Sequence, residues 1–164
     1  MEWMLPVLGL AIIWWWLQKK RPPNPEPKPL PDARLLLAEE LGQRADVARK
    51  EGRTDEARVM ALKSAWMYTH PKLGDDDPPT ELDPKEGRHL RLAGEIWSKY
   101  RQARSANEGL TDGQWLPYPR EAIVTALQLL LGIGEGTIKS PHVDSREATP
   151  EVLAEIRTAL DELG

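Results

Sequence analysis

From Pro22 to Pro31 the sequence reads PPNPEPKPLP, with proline at every second position from Pro23 onward. Proline has no N–H to donate and pushes the residue before it out of the helical region, so this stretch is neither helix nor central strand. Its expected form is polyproline II, at about 3.1 Å per residue, giving a stiff spacer of roughly 30 Å. The run therefore cuts the chain of 164 residues into two parts that must be read separately. Pro22-Pro23-Asn24-Pro25 also offers a PxxP pattern of the kind that proline-binding modules take.

The part before the run is apolar. Trp3 to Leu17, WMLPVLGLAIIWWWL, carries no charge. As a helix, Met1 to Gln18 measures about 27 Å at ~1.5 Å per residue, close to the ~30 Å hydrocarbon thickness of a bilayer. Pro6 falls near the first turn, where the helix tolerates it. Trp14, Trp15 and Trp16 point around most of a helix circumference, because successive residues turn by about 100°. One partner helix cannot bury all three indoles, whereas the headgroup region suits a ring of them. Lys19, Lys20 and Arg21 follow directly. A cleaved signal peptide has its positive charge before the apolar run and small residues after it, and this order is the reverse. A buried core helix does not suit three indoles beside three cations. The expectation is a single transmembrane anchor with a basic flank over residues 1–21. Trp14, Trp15, Trp16, Lys19, Lys20 and Arg21 would form its interface with the lipid bilayer. The cations place the carboxyl-terminal body on the cytoplasmic side, or inside a virion membrane layer, with the amino terminus outside.

The pattern Pro-Glu-Pro-Lys-Pro within Pro25–Pro29 resembles the periplasmic spacer of TonB-type energy transducers, which also follows a single anchor. That resemblance implies the opposite topology.

The body, residues 32–164, reads as an all-α domain of four to five helices. Asp32 is a helix cap. Leu35, Leu36, Ala38, Leu41, Ala45 and Ala48 recur at helical spacing to a stop near Gly52. Thr54 or Asp55 then starts a second helix, whose apolar side is Ala57, Met60, Ala61, Ala65 and Tyr68, so that residues 32–70 form a helical hairpin. An acidic loop is expected over 71–84, and a third helix over about 85–107 with Leu90, Ala93, Trp97, Tyr100 and Ala103 or Arg104 inward. A turn-rich connector holds Trp115 and Tyr118, both expected to fold back on the core. A fourth helix, about 119–131, has the most apolar stripe of the body and should be the core centre: Ala122, Ile123, Ala126, Leu127, Leu130 and Leu131. Thr149-Pro150-Glu151 opens a last helix over 150–163, with cap, proline and an acid that suits the helix dipole.

Within the hairpin, GRTDEA at Gly52–Ala57 resembles the turn and second-helix start of a tetratricopeptide repeat, over residues 35–70. Ala45, Glu56 and Ala57 fit that pattern. Ala48 and Ala61 stand where the family usually has large aromatics, Ser64 replaces a usual Ala, and Thr69 replaces the terminal Pro. No second copy follows about 34 residues later, the spacing such arrays keep. The resemblance implies protein binding rather than catalysis.

The chemistry-bearing residue types do not assemble into a motif. There is no Cys, which removes disulfides, thiolate metal sites and a cysteine nucleophile. Asp75, Asp76 and Asp77 lack the alternate spacing, the glycine and the distal Glu of a calcium loop. GIGEG at Gly132–Gly136 closes a helix, whereas a phosphate-cradling glycine loop opens one after a strand. His70, His89 and His142 sit in separate segments, so neither a metal site nor a cofactor is expected. Ser140, His142 and Asp144 lie two apart in a loop, which is not a triad spacing, and a glycosidase-type pair of Glu95 with Asp112 has no pattern behind it.

The formal charge is −4, and since Lys19, Lys20 and Arg21 against Glu2 leave the first 21 residues at +2, the remainder carries −6. An acidic body without a basic stripe argues against nucleic acid as the main partner. What remains is a structural or assembly subunit rather than an enzyme: a membrane-anchored chain presenting a helical interaction domain to other protein subunits. Trp97, Tyr100, Trp115 and Tyr118 are its candidate partner-binding or core anchors. A capsid-to-membrane tether in a membrane-containing virus is the second version of this reading, and a membrane-tethered hydrolase the third.

Overall fold

A computed structural model describes residues 32–73, 77–106, 117–144 and 148–164. The expected anchor, its interface residues Trp14, Trp15, Trp16, Lys19, Lys20 and Arg21, the proline spacer and Trp115 lie outside the described residues. Among the described residues, no helix is long and apolar enough to cross a membrane.

The described body is all-helical, with five helices and no strand among the described residues: α1 (Ala33–Lys50), α2 (Thr54–Leu73), α3 (Gly87–Ser105), α4 (Arg120–Gly134) and α5 (Pro150–Leu163). Each helix end has a local cause. Asp32 caps α1, its Oδ1 accepting from the Arg34 N–H at 2.9 Å. Gly52 adopts φ +79°, the left-handed region that favours glycine, and lets the Arg53 N–H reach the Ala48 carbonyl at 2.9 Å. The hairpin turn is therefore only Glu51–Arg53. α2 runs one turn further than expected, through Pro71 to Leu73. A proline in the last turn removes a single N–H bond, and its fixed φ is already helical. α3 starts later than expected. The Asp83 carboxylate accepts from the Lys85 N–H at 2.9 Å, which holds that segment in a turn until Glu86. Thr149 caps α5 by accepting from the Val152 N–H, with Pro150 in the first turn.

α1 and α2 pack as an antiparallel pair through small residues. Ala38, Ala45 and Ala48 are buried on α1, and Ala57, Ala61, Ser64 and Ala65 on α2. The Ser64 hydroxyl donates to the Ala38 carbonyl at 2.6 Å, a contact that only small side chains on both helices allow. The expected apolar side of α1 is thereby corrected. Leu35 and Leu36 share the helical pattern but stay outside, 44% and 52% exposed. Close approach of the two backbones selects the alanine stripe for the seam; Leu35 lies about one residue step around the helix from it and Leu36 nearly opposite.

α4 is the centre. It packs against α2, α3 and α5. Its Ala122, Ile123, Ala126, Leu127, Leu129 and Ile133 are buried with Leu62 and Trp66 of α2, Leu92, Ile96 and Tyr100 of α3, and Ile156 and Ala159 of α5. α4 also continues past Leu131 through Gly132 to Gly134. The reason is packing. A Cβ at Gly132 would stand 2.5 Å from Ile138 Cδ1, and one at Gly134 would stand 2.4 Å from Leu153 Cδ2. Two of the GIGEG glycines thus serve close approach inside a helix, while Gly136, at φ +77°, turns the chain out of it.

Candidate interaction surface

Three features shape the surface: an apolar side on α1, a half-buried tryptophan on α3, and a loop after α4. On α1, Leu35, Leu36 and Leu37 occupy the first turn, and Val47 lies eleven residues beyond Leu36 on nearly the same side; Leu37 is 44% and Val47 51% exposed. A shallow groove of about 480 Å³ runs between α1 and α2, with Val47 and Met60 as its apolar lining and Glu40, Gln43, Arg44, Arg53 and Glu56 around them. Its rim is fixed by ion pairs within each helix and turn. Arg44 meets Glu40 at 2.6 Å, and Arg53 meets both Glu51 and Glu56.

Of the four aromatic candidates, only Trp97 reaches this surface within the described residues. Its ring stacks on Tyr100, with centroids 5.9 Å apart and planes 16° apart, and the Arg101 guanidinium lies over it at 5.6 Å. Arg101 also meets Glu155 of α5 at 3.2 Å. Trp97, Arg101, Gln102 and Ser105 line a second shallow groove of about 590 Å³. Tyr100 and Tyr118 are instead core residues, 0% and 4% exposed. The Tyr100 hydroxyl donates to Glu162 at 3.2 Å, tying α3 to α5, and Tyr118 meets the edge of the Tyr68 ring at 6.2 Å. Burial raises the pKa of both phenols, Tyr118 to about 12, with nearby Glu95 and Glu162 adding to the effect at Tyr118 and Tyr100 respectively. Both phenols stay neutral near neutral pH.

The loop after α4 lines a cavity of about 610 Å³ with Ile133, Ile138, Lys139, Ser140, His142 and Asp144. It brings the Ser140/His142/Asp144 set together without relay geometry. Ser140 Oγ accepts from the backbone N–H of His142 at 3.2 Å, and the His142 ring is engaged by Lys85, its Nε2 donating to that carbonyl at 2.9 Å. Glu95 binds Lys72 Nζ at 3.0 Å, and Asp112 lies outside the described residues. Among the described residues, no group of three His, Asp or Glu side chains is placed to hold a metal ion.

Two elements escape the sequence reading. Glu121, in the first turn of α4, is buried at 7% side-chain exposure. Arg49 Nε of α1 lies 3.0 Å from its Oε1, and Arg120 Nη1 lies 3.8 Å from it. The second is the pair His89 and His142, which approach the connector between α2 and α3 from two sides. In the sequence Glu121 and His89 each stand directly after an arginine, as an ordinary solvated helix start would, so nothing there signals either role.

No protein-family model matches the chain, and neither the curated proteins nor the solved structures give a match.

Proposed function

We propose that this chain is a membrane-anchored structural or assembly subunit that presents its five-helix domain to other proteins of a membrane-associated complex. The order of the first 31 residues carries the reading: an uncharged run, three indoles, three cations and a proline spacer. In that order the indoles mark the interface, the cations mark the cytoplasmic side, and the prolines hold the domain within roughly 30 Å of the lipid.

The domain's surface agrees with a binding role. Leu35, Leu36 and Leu37 follow the spacer by less than two helical turns and remain exposed, although the interior of the domain is filled by larger groups such as Trp66 and Tyr100. Contiguous exposed apolar side chains on an otherwise charged helix are a feature of protein-binding faces. A catalytic role has no comparable support, since the cavity that gathers Ser140, His142 and Asp144 does so without relay geometry.

The deciding experiment is affinity purification of the tagged full chain from detergent-solubilised native membranes, with mass-spectrometric identification of what accompanies it. The expected result is recovery from the membrane fraction together with other subunits. Recovery of the chain alone from the soluble fraction would overturn the proposal.

A further inference from the structure

We infer that the Asp83 end of the connector, just ahead of the turn to Glu86, is a proton-released latch, tethered to α3 by neutral His89 and freed when that ring takes up a proton. The connector between α2 and α3 is fastened at two neighbouring points by two histidines. His89, in the first turn of α3, accepts the Asp83 backbone N–H on Nδ1 at 2.9 Å. His142, from the loop after α4, donates Nε2–H to the Lys85 carbonyl at 2.9 Å.

The two fasteners respond oppositely to a proton. A ring nitrogen that accepts from an N–H must be unprotonated, so His89 holds Asp83 only as the neutral tautomer. Protonation at Nδ1 sets two N–H groups against each other and removes the bond. His142 already donates from Nε2, and adding a proton to its Nδ1 leaves that bond in place. Acidification therefore frees the Asp83 end of the turn while Lys85 stays fastened.

The surroundings of His89 keep the latch closed near neutral pH. The ring meets the buried Trp66 of α2 edge-on, with centroids 6.0 Å apart and planes at 83°. The backbone N–H of His89 bonds back to the Glu86 carbonyl, so the residue sits at the positive end of the α3 dipole, which disfavours a cation. The charged groups facing it are Glu81, Asp83 and Glu86 on the connector, and Arg88 on α3; α2 presents the uncharged Trp66, and the loop after α4 presents His142 at Lys85. Burial outweighs the carboxylates and holds the imidazole below the ordinary histidine range, with Arg88 acting in the same direction. Once released, a charged ring finds those same three carboxylates nearer to water. Leu82, which packs against the core from this connector, then loses its neighbouring tether.

The test is amide hydrogen exchange by NMR on the full chain in detergent, from about pH 7.5 to about pH 5, corrected for intrinsic exchange. Protection of the Asp83 amide should fall by about tenfold or more, while amides in the middle of α4 keep theirs. His89→Asn puts a non-titrating acceptor oxygen where Nδ1 stands and should flatten the response; His142→Gln should leave it intact. Asp83 protection that does not change with pH, or an equal loss in His89→Asn, would overturn the latch, the latter assigning the effect to the carboxylates. Should His89→Asn misfold, the wild-type chain still decides. The His89 ring and the Asp83 amide must titrate with one midpoint, and distinct midpoints would reject the idea.

Discussion

Glu121 is the one charged side chain buried among the described residues, and its cost must be offset where it sits. A desolvated carboxylate is tolerable only beside a cation, and Arg49 at 3.0 Å supplies one across the α1–α4 contact. The contact is ionic rather than an aligned hydrogen bond, since neither Glu121 oxygen has a hydrogen-bond partner. Arg49→Ala strands the buried charge. Full burial of both partners would put the loss at about 3–5 kcal/mol; Arg49 is 37% exposed and Arg120 remains nearby, so about 2 kcal/mol is expected. Replacing both residues with methionine should restore most of that loss, because it removes the charge and the need for its partner together. Urea unfolding midpoints of the single and double variants give the comparison; a double variant as weak as Arg49→Ala would show that packing, not charge, governs the site. His89 adds a pH dependence of definite sign. Its pKa is lowered by folding, so the folded state holds fewer protons than the unfolded state just below the ordinary histidine value. The contribution is complete above the unfolded pKa of about 6.5 and is lost as pH falls toward the lower folded value. The unfolding midpoint should thus drop over that window in the wild type and less in His89→Asn.

At the scale of helices, glycine separates the positions where a helix is merely permissive from those where it is tightly packed. Gly94 lies mid-way along α3, exposed, and an added Cβ there meets nothing within 4 Å. Gly94→Ala should stabilise by about 0.5–1 kcal/mol through helix propensity alone. Gly132 would gain the same propensity but meets Ile138 at 2.5 Å and 2.8 Å. The clash reaches Cγ1 as well as the far Cδ1, and the Ile138 N–H to Gly132 carbonyl bond at 2.9 Å holds that backbone close. Overpacking costs of about 1–3 kcal/mol exceed the propensity gain, so Gly132→Ala should destabilise by about 1 kcal/mol. Thermal unfolding of the two variants should shift in opposite directions. These helices also show what the sequence made legible. Asp32, Gly52 and Thr149 act through their own backbone neighbourhood, and their caps and turn fall where local chemistry puts them. The start of α3 and the inward side of α1 do not. The first depends on an Asp83 turn held by His89 and His142, and the second on how closely α2 approaches. His142 and α2 are distant in the chain, and the bonds of Asp83 to Lys85 and His89 are side-chain contacts that leave no trace in the apolar pattern, so periodicity names neither.

For the domain as a whole, the same limit governs the candidate site. The aromatic residues of α3 and the connector read alike in the sequence, but the central position of α4 draws Tyr100 and Tyr118 inside and leaves Trp97 half-buried beneath Arg101. What remains outside is the α1 side, which alanine packing turned toward solvent. A charge placed there tests whether that exposure has a use. Leu36→Glu combined with Val47→Glu changes two side chains more than half exposed, neither contributing to the core. Each surface substitution away from a packed feature is expected to alter stability by about 0.5 kcal/mol or less, so circular dichroism and the unfolding midpoint should stay near those of the wild type. Buried in an interface, the same two carboxylates would each face desolvation without a partner, at several kcal/mol apiece, enough to weaken binding by factors of hundreds or more. In purification of the full chain from solubilised membranes, the double variant should therefore remain in the membrane fraction and lose its accompanying subunits. Retention of every subunit would clear the α1 side of any binding role and move the search to the Trp97 groove, where Trp97→Ala would be the corresponding probe.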